Sequence, residues 1–138
     1  TNEYFHAEEN KGAFCNKTQI KVNSKRNFEV CSLAISNSET NILKSHNFFN
    51  TKEVKKIGSI AYKIALVAKG KIDIAISLTK KNDWDLAAAD LLIREANGKI
   101  METNGKKIIY NTKNLNINSV MAANSDIISN LKKKFNYS

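Results

Sequence analysis

Between Ser59 and Gly98 the hydrophobic period of the chain changes twice, and this restricts its fold more than any other feature. Ile60, Ile64, Leu66 and Val67 mark the apolar face of a helix over residues 59–69, and Gly70 stands where a left-handed stop belongs. Ile72, Ile74 and Ile76 then alternate with Asp73 and Ala75, the period-2 pattern of a strand. Trp84, Ala87, Ala88, Leu91 and Leu92 return to helical spacing through Ala96, and Gly98 closes that helix. Two helices flanking a strand in so short a stretch bury their apolar sides only by stacking in layers, which predicts an α/β fold.

The flanking sequence extends the same alternation. Residues 3–8 read as a strand with Gly12 in the turn after it, and residues 19–22 as a second strand. Residues 29–35 form a buried strand ending at the polar loop Ser36, Asn37 and Ser38, and a helix follows from Ser38 or Glu39 to His46. Residues 53–57 are a short strand running into Gly58, and residues 79–82 a polar loop. Residues 99–101 and 107–110 form a hairpin turning at Asn104-Gly105, a pair that tolerates two positive φ angles. A last strand over 119–123 and a last helix over 126–135 complete the pattern. The expected architecture is a single domain over residues 1–138, with helices layered on a mixed β-sheet. No internal repeat, linker or low-complexity block interrupts it.

Composition narrows the function classes. No window approaches the roughly 18 unbroken apolar residues of a membrane helix, and no secretory signal opens the chain, so neither membrane insertion nor export is expected. Cys15 and Cys31 form no CxxC and have no His at ligand spacing, which predicts free thiols in a reducing, cytoplasmic setting. The net charge of +9 invites nucleic-acid binding. However, the basic residues are almost all Lys, with Arg only at 26 and 94, whereas base and phosphate recognition favours the Arg fork. Lys132, Lys133 and Lys134 suit a solvated helix end facing the negative pole of its dipole. No nucleic-acid partner is expected.

Two segments carry potential chemistry. In Asp83-Trp84-Asp85, a carboxylate at a helix start is either a plain cap or a metal ligand at the mouth of a sheet. One carboxylate alone is too few for Mg²⁺, which takes six oxygens. Gly58-Ser59-Ile60-Ala61 is a strand-to-helix turn whose free N–H groups suit a phosphate or hydroxyl. No Walker A, GxGxxG, HExxH or GxSxG sequence is present. No catalytic side chain can be assigned from the residues.

Trp84-Asp85-Leu86-Ala87-Ala88-Ala89, followed by Arg94-Glu95-Ala96-Asn97-Gly98, closely resembles the C-terminal signature of the inositol monophosphatase-like phosphatases. Gly58-Ser59-Ile60-Ala61 with the segment from Leu66 to Asp73 is similar to that family's preceding helix and strand. Ala7-Glu8 with Lys11-Gly12-Ala13-Phe14-Cys15-Asn16 is similar to its earlier Gly-Lys-Gly-Ala-Phe turn. The resemblance implies the C-terminal half of an αβαβα phosphatase sandwich. It implies a metal-ligand role for Asp85, backbone contacts to substrate from Gly58, Ser59 and Ile60, and a pocket-lining position for Ser36 and Ser38. The implied reaction is hydrolysis of a phosphate monoester by a Mg²⁺-activated water.

The departures qualify that implication. The family's upstream Glu and its Asp-Pro-x-Asp-Gly-Thr segment do not occur here, so the chain looks like a half-enzyme, inactive alone. Its expected partners are the missing N-terminal half or a second copy, and a small phosphorylated metabolite. Asn10 and Asn97 replace family glycines, a mild change because Asn tolerates positive φ. Ser77, Leu78 and Thr79 occupy the stretch where inositol-specific members carry a Glu. That tilts the implied substrate toward a 3′(2′),5′-bisphosphate nucleotide and away from inositol monophosphate. The competing reading is a non-catalytic remnant or a binding module for phosphorylated ligands.

Overall fold

The computed structural model describes residues 3–37, 52–78, 81–110, 116–117 and 119–135, with the backbone alone at 81–85 and 116. Strands β1 (Phe5–Glu8), β2 (Gly12–Cys15) and β3 (Thr18–Ile20) form an antiparallel sheet in that order. A 3₁₀ turn (Phe28–Val30) leads into β4 (Ser32–Ile35), followed by β5 (Glu53–Lys56), helix α1 (Ile60–Ala68) and β6 (Ile74–Ser77). Then come β7 (Lys81–Asn82), α2 (Asp83–Glu95), β8 (Lys99–Met101), β9 (Asn116–Ile117), β10 (Val120–Ala123) and α3 (Ser125–Phe135).

The central sheet has the order β5-β4-β6-β10-β8. β4 runs parallel to β5 and β6, while β10 is antiparallel to both β6 and β8, so the sheet is mixed as expected. Its two faces differ in kind. Leu33, Ile35, Ile74, Ile76 and Met121 pack with Ile127, Ile128 and Leu131 of α3. Ala34, Ala75 and Ala122 face the opposite way, among the residues that pack with α1 and α2. Alanines on this side let two helices lie close to the sheet, while the branched side chains opposite each contribute about 1.5–3 kcal/mol on full burial. Ala13, Cys15 and Ile20 bring the small sheet onto the other side of α1 and α2. The layers therefore run α3, five-stranded sheet, α1 with α2, three-stranded sheet.

Local chemistry fixes the helix ends. Ser59 Oγ accepts the Tyr62 N–H at 3.2 Å, capping α1. Gly70 ends it at φ +80°, with the Lys71 N–H donating back to Leu66 O at 3.0 Å. Asn124 Oδ1 accepts the Ile127 N–H at 2.9 Å to cap α3, while its Nδ2 donates to the carbonyls of Asn23 and Lys25.

Several expectations are corrected. The strand over 29–35 begins only at Ser32, because the 3₁₀ turn occupies Phe28–Val30. Residues 12–15 are a strand that periodicity did not reveal, held by pairing on both sides. Asp73, taken as the polar side of an alternation, is 3% exposed and precedes the strand. It accepts bonds from Asn23, from Lys25 Nζ at 2.9 Å and from the Ser32 N–H at 2.8 Å, tying the loop over 21–31 to the N-terminal ends of β4 and β6. Of the loop expected over 79–82, Lys81–Asn82 form β7, which pairs with β9, and residues 79 and 80 lie outside the described residues. The 99–110 hairpin does not form: β8 pairs with β10, and only Gly105 of the Asn104-Gly105 pair takes a positive φ. The left-handed residue after α2 is Asn97 (φ 68°), not Gly98. The helix expected from Ser38 to His46 lies outside the described residues.

Both cysteines are free and buried, as the spacing suggested. Burial, reinforced by the nearby Asp73 carboxylate, pushes the Cys31 thiol up to about 11. Among the described residues no helix is long and apolar enough to cross a membrane.

Candidate functional site

Parallel pairing of β4 with β5 and β6 puts three C-terminal strand ends on one edge of the sheet, the usual place for ligands in an open α/β sheet. Ile57 N–H donates to Ile35 O at 2.8 Å, which brings the start of the Gly58 turn beside the end of β4. Ser36, half-buried, follows β4 on this edge. Gly58 and Ser59 are exposed and Ile60 is buried at the start of α1. Ser38 lies outside the described residues. The α2 backbone starts at Asp83, so Asp85 is in its first turn, reached from the end of β6 through β7. The sequence-derived residues Ser36, Gly58, Ser59 and Ile60 are thus gathered at one edge, and the helix that carries Asp85 follows the strand between them and β10.

Gly58 is informative because the fold does not demand it. Its φ is not left-handed, and a Cβ there would meet nothing within 4 Å. The absent side chain leaves open space directly before a helix N-terminus, where the first N–H groups have no intrahelical partner.

One residue here escaped the sequence reading. Lys63, one turn into α1, is completely buried, and its Nζ donates to Ile76 O at 3.3 Å near the end of β6. The signal was available: Lys63 occupies the i+3 position between Ile60 and Val67, on the apolar face of the helix. The helix N-terminus at this sheet edge favours negative charge.

The far end of α2 anchors rather than opens. Glu95 accepts the N–H groups of Asn10 and Gly12, each at 2.9 Å, and these two bonds hold its carboxyl below the usual carboxylate range. The clamp fixes the β1–β2 turn, where Asn10 takes φ 63°. Asn10 and Asn97, the two replacements of family glycines, both adopt the left-handed backbone expected of them.

Among the described residues no three His, Cys, Asp or Glu side chains converge to hold a metal ion. The described oxygens alone do not complete the shell of a Mg²⁺ ion, and the carboxylate of Asp85 is not among them.

The model of the inositol monophosphatase family matches residues 1–135. A fructose-1,6-bisphosphatase/inositol-1-monophosphatase of Thermotoga maritima is 29% identical over 118 residues, covering 82% of this chain and 44% of its own length. The 3′(2′),5′-bisphosphate nucleotidase CysQ of Haemophilus influenzae is 34% identical over 62 residues, or 45% of this chain and 23% of CysQ. The solved structure of extragenic suppressor protein suhB from Bartonella henselae superposes with a TM-score of 0.82 at 27% identity, covering 97% of this chain and 52% of that one. The chain spans about half the length of such relatives.

Proposed function

The chain belongs to the inositol monophosphatase family, and from that premise we propose that it is the C-terminal portion of a Mg²⁺-dependent phosphomonoesterase. The observation that carries the reading is the turn at the C-terminal ends of β4 and β5, where Gly58 leaves open space directly before the N-terminus of α1. The N–H groups at Ser59 and Ile60 bind the anionic end of the substrate. Ser36 and Ser38 line the same pocket. Asp85 supplies one metal ligand from the first turn of α2, and the remaining oxygen donors for Mg²⁺ come from outside the described residues.

The substrate is a small phosphorylated metabolite, with a 3′(2′),5′-bisphosphate nucleotide preferred to inositol monophosphate. Two points favour this: Ser77 ends β6 in a stretch without a carboxylate, and the sequence is similar to a bisphosphate nucleotidase. The rest of the enzyme covers the apolar cavity of about 530 Å³ between β1 and the facing sides of α1 and α2, lined by Phe5, Tyr62, Leu91 and Leu92. The alternative is a non-catalytic remnant that binds phosphorylated ligands through the same edge.

The test joins the chain to the sequence encoded upstream of it. Phosphate release from adenosine 3′,5′-bisphosphate and from inositol 1-phosphate is then measured with and without Mg²⁺. The enzyme reading expects Mg²⁺-dependent release, faster from the bisphosphate. Absence of release from a folded, associated protein that still binds the nucleotide establishes the remnant instead.

A further inference from the structure

A second cavity, of about 500 Å³, lies at the other end of α2, nine residues and about 14 Å along the helix from Asp85. Its volume falls in the range of small-molecule sites. Arg94, Lys99 and Lys107 line it with one carboxylate, Asp90, while Glu9 and Glu95 act on the Arg94 charge from outside the lining. Ile100, Met101 and the buried Ile108 supply its apolar walls.

Asp90 does not neutralise this cavity in a way that would exclude an anion. It is 7% exposed and both its oxygens are engaged: Oδ1 accepts Arg94 Nε at 2.6 Å and Oδ2 accepts the Tyr110 hydroxyl at 2.7 Å. The carboxylate therefore orients the guanidinium. Among the described residues the Arg94 bond uses Nε alone, and four of the five guanidinium donors sit on the two terminal nitrogens. Arg94 is half-exposed, so those nitrogens remain within reach of a ligand. A buttressed fork with two lysines beside it matches a dianionic phosphate, which accepts several charge-assisted bonds at once. The apolar walls match a flat or branched hydrocarbon body attached to that phosphate.

We propose that this cavity binds a small organic phosphate with an apolar body, its phosphate on Arg94 and Lys107 and its body against Ile100 and Ile108. Nothing in the proposed phosphatase reading uses these residues, so the two stand or fall separately.

The probe is phenylphosphonate, which has no ester bond to hydrolyse, titrated into the ¹⁵N-labelled chain, with phenol and inorganic phosphate titrated separately. Saturable amide shifts are expected at residues 94, 100 and 108, weaker for inorganic phosphate, and lost as salt rises. Arg94→Gln should weaken binding about tenfold or more, as for a lost charge-assisted bond. Lys107→Ala, which leaves both Asp90 bonds in place, should weaken it several-fold. If Arg94→Gln unfolds the chain, Lys107→Ala still decides. Shifts confined to residues 58–61, identical shifts with phenol, or unchanged affinity in Lys107→Ala would each overturn the proposal.

Discussion

Replacing Gly98 by alanine tests whether the Glu-Ala-Asn-Gly segment after α2 is a packing device. A Cβ at position 98 would lie 2.8 Å from Ile93 Cγ1, 2.9 Å from Ile93 Cδ1 and 2.9 Å from Val22 Cγ1. Carbon contacts normally settle at about 3.5–4.0 Å, so three contacts are too short at once. Ile93 is fully buried and has nowhere to retreat. Gly98 does not hold a left-handed φ, so the cost is steric and not conformational. Overpacking of this kind costs about 1–3 kcal/mol, and the lower entropy of the unfolded alanine chain returns about 0.4–1 kcal/mol. Three short contacts at once put the steric cost at about 2–3 kcal/mol, for a net loss of about 1–2.6 kcal/mol. Urea unfolding followed by far-UV circular dichroism should show a lower midpoint at an unchanged slope. Adding Val22→Ala to Gly98→Ala should be less harmful than the sum of the two changes, because it removes one of the clashing groups. The argument is refuted if Gly98→Ala stays within about 0.5 kcal/mol of the parent, the range of ordinary surface changes.

Gly58→Ala, with open space around its Cβ, should leave the urea midpoint unchanged or slightly raised. In the completed enzyme the same change should raise KM, as kinetics with the bisphosphate nucleotide would show. Glu95→Gln should alter acid sensitivity. The folded carboxyl lies below its ordinary 4.5, so its stabilisation is complete above about pH 4.5 and is lost as pH falls through the lower folded value. The variant should lack that part of the acid limb in a pH series of unfolding curves. Cys31, with its thiol raised to about 11, should resist iodoacetamide at pH 8 in the folded chain and react once urea is added. Mass spectrometry of the labelled peptide reads this directly. Asp85→Asn should cost the isolated chain about 1 kcal/mol or less as a helix-start change. In the completed enzyme it should cost orders of magnitude in turnover, and near-normal turnover would leave Asp85 as a helix cap only.

What the sequence made visible was local. α1, α2 and α3 announced themselves by period and caps, because Ser59, Gly70 and the apolar faces act within a few residues. β4, β6 and β10 showed as apolar runs because both their faces are covered. β2 did not show, because Gly12 and Ala13 carry little strand preference and its place is set by β1, β3 and the distant Glu95. Asn104-Gly105 suggested a hairpin, yet β8 finds a better-buried partner in β10, where Ile100 sits opposite Ala122. In the candidate site, the glycine turn and the start of α2 were legible, while Lys63 was hidden among isoleucines as one more helix residue. The Arg94–Asp90–Tyr110 group was illegible, because residue 110 reaches residue 90 only through the fold.

The position of β10 also governs the order of events during synthesis. It is made after both of its neighbours, β6 and β8, yet it must slot between them. A ribosome that has released Met101 has delivered two strands that do not pair with each other, each with an unfilled edge facing the gap. Those edges are templates for any stray strand until Val120–Ala123 emerges. Pairing of β6 with β10 also closes over the segment that holds β7, α2, β8 and β9, so it is a late, long-range contact. A nascent chain stalled before Val120 therefore cannot complete this sheet by waiting, and its open edges stay exposed for that interval.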